Sequence, residues 1–267
     1  MKKKNKEYKV PSRFQPFFAI LKVPLKLIFK SKVINEHAPI PERAILISNH
    51  SAKSGPASIE VSLNHFNVKW GAHEMLGSFK ERYKYLRNVL YMQKLGKGKF
   101  YATVKGFLEA CFSKMAYKGM KFIPTYTDIR FSKTIKMSMK VLEANASICI
   151  FPEDSNEGYF DVLTYAFPGF VVLAEQYEKK HGEDVPIVPM YYHKKSRTII
   201  VGEAFYQSKL HAEGLDREQI AEYGKNRINE IFFNNFASEE EKAKYLAPKE
   251  AENQTDSTAN SNPEVAE

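Results

Sequence analysis

The stretch ISNHSAKSGP, residues 47 to 56, breaks an apolar run on Asn49 and His50 and continues as a polar, small-residue turn. An imidazole gains and loses its proton near neutrality, which suits it to acid–base work, but a lone histidine at the end of a buried strand is more often a satisfied core or loop residue. A second chemical group follows the apolar run SICIF, where IFPEDSNEG sets Glu153 just past another buried strand. Open α/β sheets collect ligands at the carboxyl ends of their strands, so both residues fall where a site is expected. Two other histidines carry less. His65 lies inside a helical stretch with no acid at a useful distance, and His73 reads as surface beside Glu74. The two cysteines, Cys111 and Cys149, have neither metal nor redox spacing, which argues against a zinc site or disulfide scaffold and fits a reducing compartment.

These groups need strands and helices to hold them. Residues 44 to 48, MKFIPTY, SICIF, VPIVPMYYH and RTIIVGEAFY read as strands, with VKWGAHEML as strand and loop. Helical spacing covers residues 56 to 65, 78 to 90 and 215 to 236, together with KGKFYATVKGFLEACFSKMAY. SKTIKMSMKVLEAN reads as a helix with Ser132 as its N-cap, and GFVVLAEQYEKKHG as one ended by Gly182. Strands alternating with helices predict a single α/β domain, a mixed sheet flanked by helices, over residues 37 to 246. No internal repeat is present.

Charge frames that domain. The chain carries +9 overall. Residues 1 to 32 hold ten Lys or Arg against Glu7, and residues 247 to 267 hold five acids against one lysine. The tail reads as disordered. A basic front end calls for an anionic partner. In FQPFFAILKVPLKLIFK, lysines 22, 26 and 30 mark one helical face amid large apolar residues, and Pro24 predicts a kink or two short helices. A bilayer span needs about 20 apolar residues, and no cleavage site follows. Residues 1 to 36 therefore read as a basic amphipathic helix lying in an anionic membrane interface, with Lys2, Lys3, Lys4, Lys6 and Lys9 adding to the attraction. An ordinary core helix is the plainer alternative. No helix-turn-helix, finger or RNP pattern accompanies the charge, so nucleic acid is not the expected partner.

Four stretches, ISNHSAKSGP, KFIPTYTDIR, IFPEDSNEG and VPIVPM, stand in an order that resembles the glycerolipid acyltransferases, the family of the 1-acylglycerol-3-phosphate acyltransferases. Their motifs are His-x-x-x-x-Asp after Asn, Gly-x-x-Phe-Ile-x-Arg, Phe-Pro-Glu-Gly-Thr-Arg and a proline-containing apolar strand. The resemblance covers roughly residues 14 to 205. It makes His50 the general base, with Asn49 before it, and matches Gly119, Phe122, Ile123, Phe151, Pro152, Glu153 and Pro186 to Pro189. Gly55 stands at the motif aspartate, Thr125 at one arginine, and Asp154, Ser155 and Asn156 at Gly-Thr-Arg.

What the resemblance implies is an O-acyltransferase acting on a lysolipid or related glycerolipid hydroxyl, with acyl-CoA or acyl carrier protein as donor and no metal or other cofactor. It would sit on the cytoplasmic face of a membrane, in phospholipid synthesis or remodelling. Glu153 joins His50 and Asn49 as a candidate catalytic group. Phe151, Pro152, Asp154, Ser155, Arg130 and Lys53 are candidates for binding substrate. Candidates to orient His50 in place of the missing aspartate are Glu60, Glu74 or a main-chain carbonyl. Arginine suits phosphate by bidentate, permanently charged contacts. Its loss at positions 125 and 156, beside Asp154 and Glu157, points to a zwitterionic, amine-bearing or sugar head group in place of lysophosphatidate, although Arg130, Lys121 or Lys133 remain to meet a phosphate. The competing functions are a non-catalytic lipid-binding relative and a thioesterase.

Overall fold

The computed structural model describes residues 8–12, 14–156 and 158–243. The lysines before Tyr8, Glu157 and the acidic tail lie outside them. Helix α1, Pro16–Phe29, leads into strand β1, Lys32–Asn35, and then β2, Ile45–Ser48. Next come α2, Ser54–Ser62, β3, Asn67–Ala72, and a 3₁₀ turn, His73–Leu76. Helix α3, Phe79–Lys84, runs on as a π-helical stretch, Tyr85–Lys94, before the long α4, Lys99–Gly119. Then follow β4, Phe122–Thr125, α5, Phe131–Glu143, β5, Ser147–Ile150, and α6, Gly169–His181. The chain continues through β6, Ile187–His193, β7, Thr198–Val201, α7, Gln207–Ala212, and α8, Arg217–Asn235.

One seven-stranded sheet has the order β1-β7-β6-β2-β5-β3-β4. It is mixed: β6 and β7 run antiparallel, and every other neighbouring pair is parallel. The expected single α/β domain is what the chain forms. The central strands read as unbroken apolar runs because both faces are covered. Ile45, Ile47, Ile148 and Ile150 face the core beneath α5, α6 and α8, while Leu46 and Cys149 face the layer of Ile59 in α2.

Three local readings change. Strand β1 joins the edge of the sheet through β7, although residues 1 to 36 read from sequence as a membrane segment. Its four residues are too short and polar to stand out from the basic run before them. Pro24 sits inside one continuous helix in place of splitting it. Ser132 lies within α5, its hydroxyl donating to the Ile129 carbonyl, because the helix already begins at Phe131. Gly182 does end α6, in the left-handed conformation that favours glycine.

Helix α1 docks on α2 and α4. The Phe18 ring is buried where Gly119 leaves room for it, and a Cβ at 119 would lie 2.1 Å from that ring. Lys22 turns inward to Glu60, so the lysine face of α1 is divided, Lys26 and Lys30 remaining exposed. Ile20, Val23, Leu27 and Ile28 stay exposed to solvent. No helix among the described residues is long and apolar enough to cross a membrane.

Candidate active site

Parallel pairing explains how residues a hundred positions apart meet. Strands β2 and β5 are neighbours, with Ile47 level with Ile150, so the segments leaving them carry His50 and Glu153 off the same end of the sheet. The His50 ring is sandwiched between two aromatics. Phe151 meets it edge-on at 4.8 Å between centroids, and Tyr159 stacks at 5.2 Å. His50 Nδ1 is buried without a hydrogen-bond partner among the described residues. Burial first, and then the nearby Lys94 cation, lower its pKa to about 4 against the opposing pull of the main chain at Ala52 and at His50 itself, so the ring is neutral at physiological pH.

Glu153 is perturbed in the opposite sense. Burial pushes its carboxyl up to about 7, against the pull of the His50 main-chain amide and of Lys94. Its Oε1 is also buried without a partner among the described residues. Main-chain pairing of Glu153 with Ala166, and a hydrogen bond donated by the Phe167 amide to the Pro152 carbonyl, pin the turn against the returning segment. Asp154 accepts from the Asn156 amide at 2.9 Å, and Ser155 is buried.

Lys94 is a candidate site group that the sequence does not single out. It closes the π-helical stretch and donates to Ser155 Oγ at 2.6 Å. Burial lowers its pKa, and Asp154, Glu153 and Glu74 pull it back up. A cation therefore stands beside the turn that lacks the expected arginine. Nothing in YMQKLGKGK distinguishes Lys94 from its neighbours, because the contact to Ser155 spans 61 residues. Tyr159 was missed for a similar reason, lying in a loop with no periodicity.

Other predicted residues take different places. Asn49 zips the end of β2 to β6: its amide donates to the Tyr192 carbonyl at 3.0 Å, and its Oδ1 accepts from the Tyr192 amide at 2.7 Å. With one main-chain hydrogen bond at each of its amide atoms, Asn49 positions the strand end. Lys53 is engaged by Glu109 of α4 and the Tyr91 hydroxyl, so it braces the turn after His50 and is not free for substrate. Arg130 is folded back on Asp128, Nη2 to Oδ2 2.7 Å, and lies over the Tyr126 ring. It stands at the same sheet end, beyond β4.

Neither proposed acid orients His50. Glu60 points into a buried cluster, accepting from Lys69 at 2.6 Å, Lys121 at 2.9 Å and Lys22 at 3.1 Å. Lys121 is thereby removed as a phosphate ligand too. Burial alone would raise the Glu60 pKa, but Lys69 and Lys121 overrule it and leave about 2. Glu74 pairs with His73 Nδ1 at 3.3 Å. Among the described residues, three or more metal-ligating side chains gather nowhere in a group fit for an ion.

Gly55 has a steric explanation. A Cβ there would stand 2.2 Å from the His50 carbonyl oxygen and 3.4 Å from that of Asn49. Ser51 and Ala52, at φ 44° and 54°, curl the chain so tightly that α2 begins against the residue it follows. No side chain fits at 55 unless the turn opens, so an aspartate could not occupy this backbone. Gly55→Asp is accordingly expected to cost about 1–3 kcal/mol or more in urea denaturation, as overpacking does, and to give no gain in any activity. A variant as stable as the natural chain, with raised activity, would show that glycine marks only a lost aspartate.

No protein-family model matches the chain, and no curated protein matches it. Among solved structures it is similar to the 1-acyl-sn-glycerophosphate (LPA) acyltransferase PlsC from Thermotoga maritima. That likeness has a TM-score of 0.44 and 12% identity, over 85% of this chain and 86% of that one. At that score and identity it bears on neither chemistry nor substrate.

Proposed function

We propose that the protein is an O-acyltransferase that moves a fatty acyl group from an acyl thioester to the hydroxyl of a lysolipid, with His50 as general base. The observation that carries this is a neutral histidine between two aromatic rings, beside a buried carboxyl and a cation, at the carboxyl ends of two parallel strands. The order of the four sequence motifs supports the same chemistry.

In the reaction, a nitrogen of His50 takes the proton of the acceptor hydroxyl as its oxygen attacks the thioester carbonyl carbon. The carbon–oxygen bond forms, the tetrahedral centre collapses, and the carbon–sulfur bond breaks. The thiolate leaves with the proton returned by the imidazolium, giving an ester and a free thiol. Burial keeps the ring unprotonated and ready, and apolar walls from Phe151 and Tyr159 exclude water that would hydrolyse the thioester. An ionised Glu153 favours the imidazolium that forms in the transition state. Lys94 offers a cation and Asp154 an anion at the head-group end, a mixed pair better matched to a zwitterionic lysophospholipid than to lysophosphatidate. The donor is acyl-CoA or acyl carrier protein, and α1 brings the site to the cytoplasmic face of an anionic membrane.

The test is transfer from labelled long-chain acyl-CoA and acyl carrier protein to a panel of lysolipids, between about pH 5 and about pH 9. Transfer should be greatest to zwitterionic head groups. Since a negative Glu153 strengthens the base, kcat/KM should rise with pH through about 7, and Glu153→Gln should flatten that rise. Lysophosphatidate as clearly the best acceptor would overturn the head-group reading. Hydrolysis of thioester with no acyl acceptor used would make the protein a thioesterase.

A further inference from the structure

Helix α4 is built with its small residues inside and its large ones outside. Ala102, Gly106, Ala110 and Ser113 form the buried face, and a Cβ on Gly106 would already lie 3.2 Å from the Arg87 amide. Small residues there allow the π-helical stretch to pack backbone to backbone. The opposite face carries Phe100, Val104, Phe107, Leu108, Phe112 and Met115, all exposed, with Phe100 at 85% and Phe112 at 68%. A helix paired only with protein would turn those side chains inward. Monomeric soluble proteins rarely leave a contiguous apolar patch larger than a few hundred Å² without a function for it.

We infer that α4 is a second membrane-docking helix, whose outer face enters the interface of an anionic bilayer beside α1. Charge identifies the occupant. Lys105 and Lys114 flank the apolar face, Lys99 and Lys118 stand at its two ends, and the one acid of the helix, Glu109, is already paired with Lys53. Large apolar residues flanked by lysines match a lipid surface with anionic head groups. A second copy of this chain would oppose lysines to lysines, which disfavours self-association on this face. The C-terminal end of α4 meets α1 at Gly119 and Phe18, next to the exposed Ile20, Val23 and Leu27. Through Glu109 and Lys53, α4 is also tied to the turn that follows His50. The docking surface therefore runs from α1 along α4, and the ion pair links it to the turn beside the candidate active site. This surface goes beyond the acyltransferase reading and does not depend on it.

The experiment compares the full chain with Phe107→Asp/Phe112→Asp and, separately, Leu27→Asp/Ile28→Asp. Each is sedimented with phosphatidylcholine vesicles and with vesicles that also contain phosphatidylglycerol. The natural chain should bind the anionic vesicles, and the α4 variant should bind them at least about tenfold more weakly with α1 intact, two buried phenyl rings being worth that and more. Circular dichroism should hold and Tm should fall by a few degrees at most, since Phe112 is exposed and Phe107, half exposed, gives up only its edge contacts with Phe79 and Tyr83. Undiminished vesicle binding by the α4 variant would overturn the inference. So would a natural chain that is dimeric by sedimentation velocity and made monomeric by the α4 variant with vesicle binding unchanged. Transfer to a short-chain lysolipid below its micelle concentration separates the two readings. The α4 variant should retain it, and its absence from the natural chain would sink the acyltransferase reading while leaving vesicle binding to decide this one.

Discussion

His50→Ala is expected to lower kcat/KM for acyl transfer by about 10²–10⁴, the usual worth of a positioned general base, with little change in stability. The buried Nδ1 makes no hydrogen bond of good geometry, the main chain at Ala52 and at His50 itself supplies the polar neighbours of the ring, and its other contacts are with Phe151 and Tyr159, so truncation should cost little stability. The loss should appear in kcat with KM nearly constant, because the proton moves only on the way to the transition state. Raising the pH should not rescue the variant, since its base is gone. The comparison needs matched circular dichroism and Tm for both proteins, so that chemistry alone is read. A variant within a few-fold of the natural chain would remove His50 from the mechanism. It would then favour a lipid-binding protein in which Asn49 and His50 only shape the end of β2.

The largest effect on stability should come from Glu60→Gln. Glu60 is the shared anion of Lys22, Lys69 and Lys121, and the Lys69 side chain is 0% exposed. Removing one partner of a buried ion pair typically costs about 3–5 kcal/mol, because the remaining charge has lost its compensation and cannot reach water. Here two buried lysines are stranded, and the link from α1 to α2 through Lys22 goes with them. Urea denaturation at neutral pH should show the deficit in midpoint with an unchanged slope. It should shrink at alkaline pH, where the stranded Lys121, whose pKa burial lowers, can fold uncharged. The natural protein has the complementary signature. Its Glu60 pKa is depressed to about 2, so the stability this group contributes is present above the usual carboxylate range and is lost as pH falls towards 2. Adding Lys69→Met to Glu60→Gln should return part of the loss. A deficit below about 1 kcal/mol, the scale of a surface ion pair, would show that the cluster is solvated in solution.

Much of the architecture was legible without coordinates. SICIF and AILIS are apolar at every position but their terminal serines, Ser147 and Ser48, because their strands are covered on both faces, and Gly182 ends α6 because a left-handed residue is needed there. The helix at 54 to 62 begins two residues earlier than its apolar pattern, since the turn before it is held by Gly55 and the left-handed Ser51 and Ala52. Strand β1 and helix α7 were not legible. Each is six residues or fewer, and β1 is made only by pairing with β7 from the far end of the chain.

By itself the sequence determined where the central strands run and stop, and hence that His50 and Glu153 each follow a buried apolar strand. Those features follow from the order of apolar and polar side chains within a few residues, which backbone sterics and burial read locally. Only the tertiary structure decided that Glu60 serves three lysines, that Gly55 is required by the carbonyl of His50, that Lys94 stands beside the Ser155 turn, and that α4 carries its phenylalanines outward. Each of these depends on which element lies against which. A lysine's partner 61 residues away, or the side of an amphipathic helix that faces its neighbour, is set by packing and not by spacing along the chain.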